Sequence, residues 1–267
     1  LIDCDALMWH FSQDNYKDML FARQLLFSVQ HTGKKVFPDF HTNWHFDDKV
    51  GQKYLLEAIG APLVPSYVFY DKQTAIEWIE HTSFPKVFKL RSGAGSSNVK
   101  LISNVKQARK LLNKAFGRGF PSFDKWEYLH ERFRKTKEGK DGLMGLVKGI
   151  GRLFIKPFDY KMIPNQKGYA YFQDFIPENT SDTRIIVVGN KAFGIKRNVR
   201  KNDFRASGSG SINYNHKDID IRSVKIAFEV NKNLNAQCLA YDFVFDLENT
   251  PLIVEISYGF AVKAYDY

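Results

Sequence analysis

The chain has 267 residues, 44% of them hydrophobic and 25% charged, and its 39 Lys and Arg outnumber 29 Asp and Glu for a formal charge of +10. This length and composition exclude a disordered chain and suffice for one large domain or two to three small ones. Two cysteines, Cys4 and Cys238, exclude a disulfide framework and fit a reducing cytoplasm; no apolar run reaches the ~18 residues of a membrane helix. The surplus of cations favours anionic partners, without choosing among nucleotides, nucleic acid, acidic sugars and a membrane surface. The first residue is Leu1, no signal-peptide pattern follows, and the expectation is part of a longer, cytoplasmic protein.

Residues 1–11 read as a strand entering a loop, and 35–40 as a short strand ending at Pro38. Between them 14–30 has helical spacing, with Met19, Leu20, Leu25, Leu26 and Val29 as a buried stripe and Gly33 as the stop. This is βαβ character, too short for a complete Rossmann-like domain and without a glycine fingerprint. His41 and His45 lack Cys or carboxylate partners at ligand spacing and read as structural rather than zinc-binding. Asp47 or Asp48 is placed to cap a helix carrying Lys49, Tyr54, Leu55, Leu56 and Ile59, which stops at Gly60. Pro62 and Pro65 punctuate a linker. A strand (66–70), a helix (74–81) and a strand (86–91) follow.

Residues 92–98 (SGAGSSN) join that strand to another at 99–102. A Walker loop would instead enter a helix behind GK[ST]. The stretch is a flexible turn or, with Lys89 and Arg91 just before it, an anion cradle of backbone N–H groups. After a basic helix (105–114), residues 117–164 break the α/β rhythm with mixed charges and a helical run at 126–133. They read as an insertion. It is either a solvated excursion or a surface that covers a substrate, touches a membrane or holds an anionic partner; nucleic acid, with Trp126, Tyr128 and Phe133 stacking on bases, is the lesser alternative.

Residues 168–176 are a strand, and 182–188 and 191–199 flank Gly189-Asn190, a type I′ hairpin signal. Residues 200–211 are polar, Gly/Ser-rich and expected to be mobile. A helix at 220–234 buries Val224, Ala227, Phe228, Val230 and Leu234. It delivers the chain into 239–257 (LAYDFVFDLENTPLIVEIS), two alternating apolar runs about a polar break. A turn centred on Glu248 and Asn249 sets Asp242 opposite Glu255, with Ser257 on the same face. Opposed carboxylates repel unless a cation lies between them. The alternatives are a Mg²⁺ site of three oxygen donors and a solvated edge hairpin.

In this order the pieces resemble the ATP-grasp superfamily of carboxylate–amine ligases, which includes D-alanine–D-alanine ligase, glutathione synthetase and the ribosomal-protein glutamate ligase. The resemblance covers roughly residues 47–260. It rests on Lys49 before Gly60-Ala61-Pro62-Leu63-Val64-Pro65, on Pro85-Lys86-Val87-Phe88-Lys89, on the small-residue loop, on Gln173-Asp174-Phe175-Ile176, and on Asp242 with Glu255. It implies an α+β, α/β fold: two α+β subdomains sandwiching ATP behind a partial Rossmann-like domain. The expected boundaries are 1–65, 66–171 with the insertion at about 118–164, and 172–267.

The resemblance further implies an ATP- and Mg²⁺-dependent ligase working through an acyl phosphate on a sugar or peptide carboxylate. Lys49, Lys89, Gly93, Gly95, Ser96 and Ser97 would meet phosphates. Gln173, Asp174, Phe175 and Ile176 would line the adenine pocket, Asp182 would take the ribose, and Asp242, Glu255 and Ser257 would hold one or two Mg²⁺. Ser257 stands where the family has Asn, Tyr258-Gly259-Phe260 replaces its usual continuation, and Ala240 stands where an Arg is common. Catalytic charge is therefore assigned to Arg205, Arg197 and Lys196. The Ile-Ser-Tyr-Gly-Phe ending resembles members associated with surface-polysaccharide biosynthesis. Homodimerisation follows by analogy, and the rival is a nucleotide-binding protein of the same fold without ligase activity.

Overall fold

The structure is a computed structural model that describes residues 4–13, 15–93, 98–121, 136, 163–200, 203–207, 210–260 and 265. Its elements in chain order are β1 (Ala6–Met8), α1 (Tyr16–His31), β2 (Lys35–Phe37), α2 (Phe40–Asn43), α3 (Lys49–Ala58), β3 (Ser66–Phe69), α4 (Lys72–His81), β4 (Lys86–Lys89), β5 (Val99–Ile102), α5 (Val105–Ala115), β6 (Ala170–Asp174), β7 (Ser181–Val188), β8 (Lys191–Asn198), β9 (Ile212–Asn213), α6 (Ile221–Leu234), β10 (Cys238–Phe245) and β11 (Pro251–Ser257). Among the described residues, every helix of ten residues or more starts on Asp or Asn: Asn15, Asp48, Asp71, Asn104 and Asp220 each accept a backbone N–H from the first turn. Such side chains satisfy donors that the helix itself leaves without partners.

Two antiparallel sheets dominate. Four strands run β3-β6-β4-β5 and five run β11-β10-β7-β8-β9; β1 and β2 form a separate parallel pair. α4 and α5 cover one face of the four-stranded sheet, where Phe88, Phe172, Ile79 and Leu112 are buried and Trp78 packs at a tilt against Phe172. α1 and α6 close the core of the five-stranded sheet around Leu26, Ile185, Val230, Leu239, Tyr241 and Phe243. This is the expected α+β arrangement.

The proline-punctuated passage before β3 ties the sheets together. Ile253 N–H donates to Pro62 O (2.7 Å), Val64 N–H to Ile253 O (2.9 Å) and Asp174 N–H to Pro65 O (2.9 Å). The passage thereby occupies the open edge of β11, which would otherwise present free backbone groups.

Several details differ from the sequence expectation. α1 buries Ala22, Leu26 and Val29, whereas Leu20 and Leu25 are each 45% exposed. The stripe followed large residues, but the small Ala22 lets the helix approach its neighbours. The polar stretch after Pro38 contains the short helix α2, capped by Asp39. β6 ends at Asp174 and is central to the four-stranded sheet, so it runs through the expected 171/172 boundary. The helical run at 126–133 lies outside the described residues. Phe120 and Gln166 pair on either side of the insertion, with N–H to O distances of 2.9 and 2.8 Å. The chain therefore leaves and re-enters the sheet domain at adjacent points.

Candidate active site

The two sheets face each other across a cavity of about 370 Å³. Strand alternation decides what enters it. On β4, Phe88 turns toward the helices while Val87 and Lys89 turn to the cavity; on β6, Gln173 follows Val87, its direct partner. Gln173 Nε2 donates to Ser66 Oγ at 3.0 Å, which fixes the amide. Phe175 and Ile176 continue the wall, and Phe175 meets Phe204 edge-on with ring centroids 5.9 Å apart. Asp174 also lines the cavity, with one oxygen 2.6 Å from the buried Lys86 ammonium.

Asp242 and Glu255 are direct partners on β10 and β11, as the hairpin arithmetic requires. The path to that register differs: Phe245 pairs with Pro251 and Phe243 with Ile253, and a bulge at Val254 supplies the extra residue. Ser257 pairs with Ala240, lines the cavity, and accepts the Gly259 N–H through Oγ at 3.1 Å.

Arg184, the residue that the sequence reading missed, sits opposite Asp242 on β7. Its guanidinium holds both Asp242 oxygens, at 2.6 and 2.7 Å, and it lines the cavity. Arg197 adds a third contact to Asp242 at 2.9 Å and forks onto Asp182 from behind. Burial alone would raise Asp242, but Arg184 and then Arg197 hold it well below the ordinary carboxylate range. Asp182 moves the other way, to about 6, because desolvation outweighs its Arg197 partner.

The expected catalytic cations divide. Arg205 lines the cavity, steadied by Asp203 at 2.7 Å. Arg197 is a buried support outside the lining. Lys196, one residue away on the same strand, points to the opposite face, where its charge lowers the Asp220 carboxyl of the α6 cap, a smaller influence there than Arg222. Lys196 lies outside the cavity lining. Asp182 is engaged by Arg197, while Glu178, with φ +65°, also lines the cavity near the predicted adenine strand.

Lys49 and Lys89 both reach the cavity. Lys49 Nζ donates to Gly93 O at 2.7 Å and lies 3.1 Å from Glu255 Oε1. Lys89 is 4% exposed and makes no hydrogen bond or ion pair among the described residues. Desolvation brings its ammonium down from 10.5 to about 8, against the pull of Glu255. Gly93 lines the cavity; Gly95, Ser96 and Ser97 lie outside the described residues. His45 is buried and kept neutral, with burial driving it down to about 4, and among the described residues no group of three or more His, Cys, Asp or Glu forms a metal cluster.

A family model of the RimK-like ATP-grasp domain matches residues 161–265. The fold is also that of the RimK domain ATP-grasp protein from Sphaerobacter thermophilus: TM-score 0.57 at 14% identity, over 98% of this chain and 76% of that one. Residues 161–265 thus match that family, and the chain has the ATP-grasp fold. Its cavity is the cleft between the two grasping sheets. D-cycloserine synthetase DcsG is similar with a TM-score of 0.59 at 12% identity, over 95% of this chain and 75% of that one. So is N5-carboxyaminoimidazole synthetase from Staphylococcus aureus complexed with ADP, at 0.56 and 13%, over 95% and 53%. The chain spans about half the length of the first-matched N5-carboxyaminoimidazole ribonucleotide synthetases, 48% and 53%. No curated protein matches its sequence.

Proposed function

We propose that this protein of ATP-grasp fold is an ATP- and Mg²⁺-dependent ligase that joins a carboxylate to an amine. Lys89 carries the reading. A buried ammonium without a partner is costly, and the cost is offset where an anion arrives. Lys89 faces a cavity that also holds Lys49, Asp242 and Glu255. The donor set suits Mg²⁺ brought in with phosphates: two carboxylates and a hydroxyl, all hard oxygens.

Lys49 and Lys89 would bind the ATP phosphates, the wall from Gln173 to Ile176 the base, and Glu178 or Asp182 the ribose. Asp242, Glu255 and Ser257 would hold the metal, whose charge, once bound, neutralises the phosphates during transfer. An oxygen of the substrate carboxylate attacks the γ-phosphorus and ADP departs. The amine nitrogen then attacks the acyl carbon, phosphate leaves, and the nitrogen loses its proton to solvent. Arg184 and Arg205 would stabilise charge on the transferring phosphoryl, supplying what Ala240 lacks, and Arg197 would keep Asp182 and Asp242 in place.

The chain's cationic surplus supports a second partner rather than the acceptor. Residues 98–121 carry six Lys or Arg and no Asp or Glu, and of these residues only Val99 lines the cavity. An anionic surface or polymer fits that outer face of β5 and α5.

One observation favours a nucleotide-binding protein without catalysis: both Asp242 oxygens are already taken by Arg184. Phosphate release from MgATP in the presence of carboxylates and amines separates the two. The ligase reading expects release with a matching pair, lost in Glu255→Gln. Tight MgATP binding with no release for any pair supports the rival.

A further inference from the structure

Three consecutive residues, Asp47, Asp48 and Lys49, grip the chain just beyond β4. Asp47 Oδ1 accepts the Gly93 N–H at 2.7 Å, and Lys49 Nζ donates to the Gly93 carbonyl at 2.7 Å. Asp48 pairs with the Arg91 guanidinium, and the Lys49 backbone N–H donates to Arg91 O at 2.9 Å. Gly93 is thus held at both ends of its backbone, by the two residues that flank the cap of α3. The other described groups of this stem are tied too. Ser92 Oγ accepts from Gln166 Nε2 at 2.8 Å, and Arg91 N–H donates to Tyr169 Oη at 2.7 Å.

Asp47 itself is unusual. Its backbone lies in the left-handed region, φ +52°, which a non-glycine residue occupies at a cost. Phe46, buried at 3% exposure beneath Gly259 and Tyr258, fixes the chain on one side, and the α3 cap fixes it on the other. Burial raises its carboxyl to about 6 although Lys49 and the Gly93 N–H both favour the charged form.

We propose that Asp47 is a positioning residue for nucleotide phosphates: by fixing Gly93 it fixes the carbonyl that aims the Lys49 ammonium into the cavity. The inference rests on the ATP reading above and adds a residue to which the family resemblance gives no role. Glu255, the other partner of Lys49, is a candidate metal ligand and so is drawn elsewhere when nucleotide arrives. The Gly93 carbonyl is then what keeps the Lys49 side chain in place.

The test compares wild type, Asp47→Ala and Asp47→Asn for MgATP and for adenosine, which has no phosphates. Asparagine keeps an oxygen that accepts the Gly93 N–H; alanine does not. Asp47→Ala should weaken MgATP ~10-fold, the scale of one lost hydrogen bond to a positioned group, and leave adenosine within ~2-fold. Asp47→Asn should stay within ~3-fold of wild type for both. Equal weakening of adenosine and MgATP in Asp47→Ala would mean general disruption and overturn the proposal, as would unchanged MgATP affinity. If the alanine variant is unfolded, asparagine decides alone: ~10-fold weaker MgATP there also overturns it. Wild type that binds adenosine but gains nothing from the phosphates overturns the ATP reading itself, and this inference with it.

Discussion

Lys89 and Arg184 show how single charges are placed on facing walls. Lys89 titrates near 8 in the fold and near 10.5 when unfolded, so between those values the unfolded chain binds more protons. Its burial therefore costs stability in full below pH 8, and the cost fades as the pH rises toward 10.5. Lys89→Met should raise unfolding free energy at pH 7 by roughly 1–3 kcal/mol, flatten that rise in a denaturant series, and abolish MgATP binding. Arg184→Ala should do the reverse for stability, costing roughly 3 kcal/mol by leaving Asp242 desolvated with one guanidinium instead of two, and should stop phosphate release. The facing of Asp242 and Glu255 was readable because a period of two and a polar break fix a hairpin locally. Alternation also places Arg184 with Asp182, and excludes Lys196 and Arg197 from sharing a face. What no local pattern reveals is that Arg184 meets Asp242, 58 residues away, across β7 and β10.

Among elements, the junction of α3 with β11 and β4 positions most of the cavity. Gln52 on α3 accepts the Ile256 N–H at 3.4 Å, Lys49 meets Glu255, and Phe46 packs on Gly259. A Cβ at Gly259 would lie 2.5 Å from the Phe46 ring, which is buried and has no room to withdraw. Gly259→Ala should cost roughly 1–3 kcal/mol in chemical denaturation and weaken MgATP by shifting Asp47 and Lys49. Helix and strand identities were largely legible: β5 spans residues 99–102 as expected, and five of the six described α-helices follow from caps and spacing. The errors have physical causes. α1 was assigned a stripe of large side chains, but close packing favoured Ala22, and no turn residue or break in the local pattern marks the bulge at Val254.

At the scale of the molecule, two sheets joined through the Pro62–Pro65 passage make a cleft that gathers Lys49, Lys89 and the opposed carboxylates Asp242 and Glu255. The ordered motifs made this arrangement legible from sequence; the size of the cavity and the pairing of its charges required the fold. The measurement that bears most directly on it is calorimetric titration of the chain with ATP, with and without Mg²⁺, for wild type, Lys89→Ala and Glu255→Ala. Wild type should bind with an affinity that Mg²⁺ increases, Lys89→Ala should lose binding by ~10-fold or more, and Glu255→Ala should lose the Mg²⁺ enhancement. Folded wild type that does not bind, or affinity indifferent to both substitutions, would contradict the nucleotide site and leave the basic face of β5 and α5 as the functional surface.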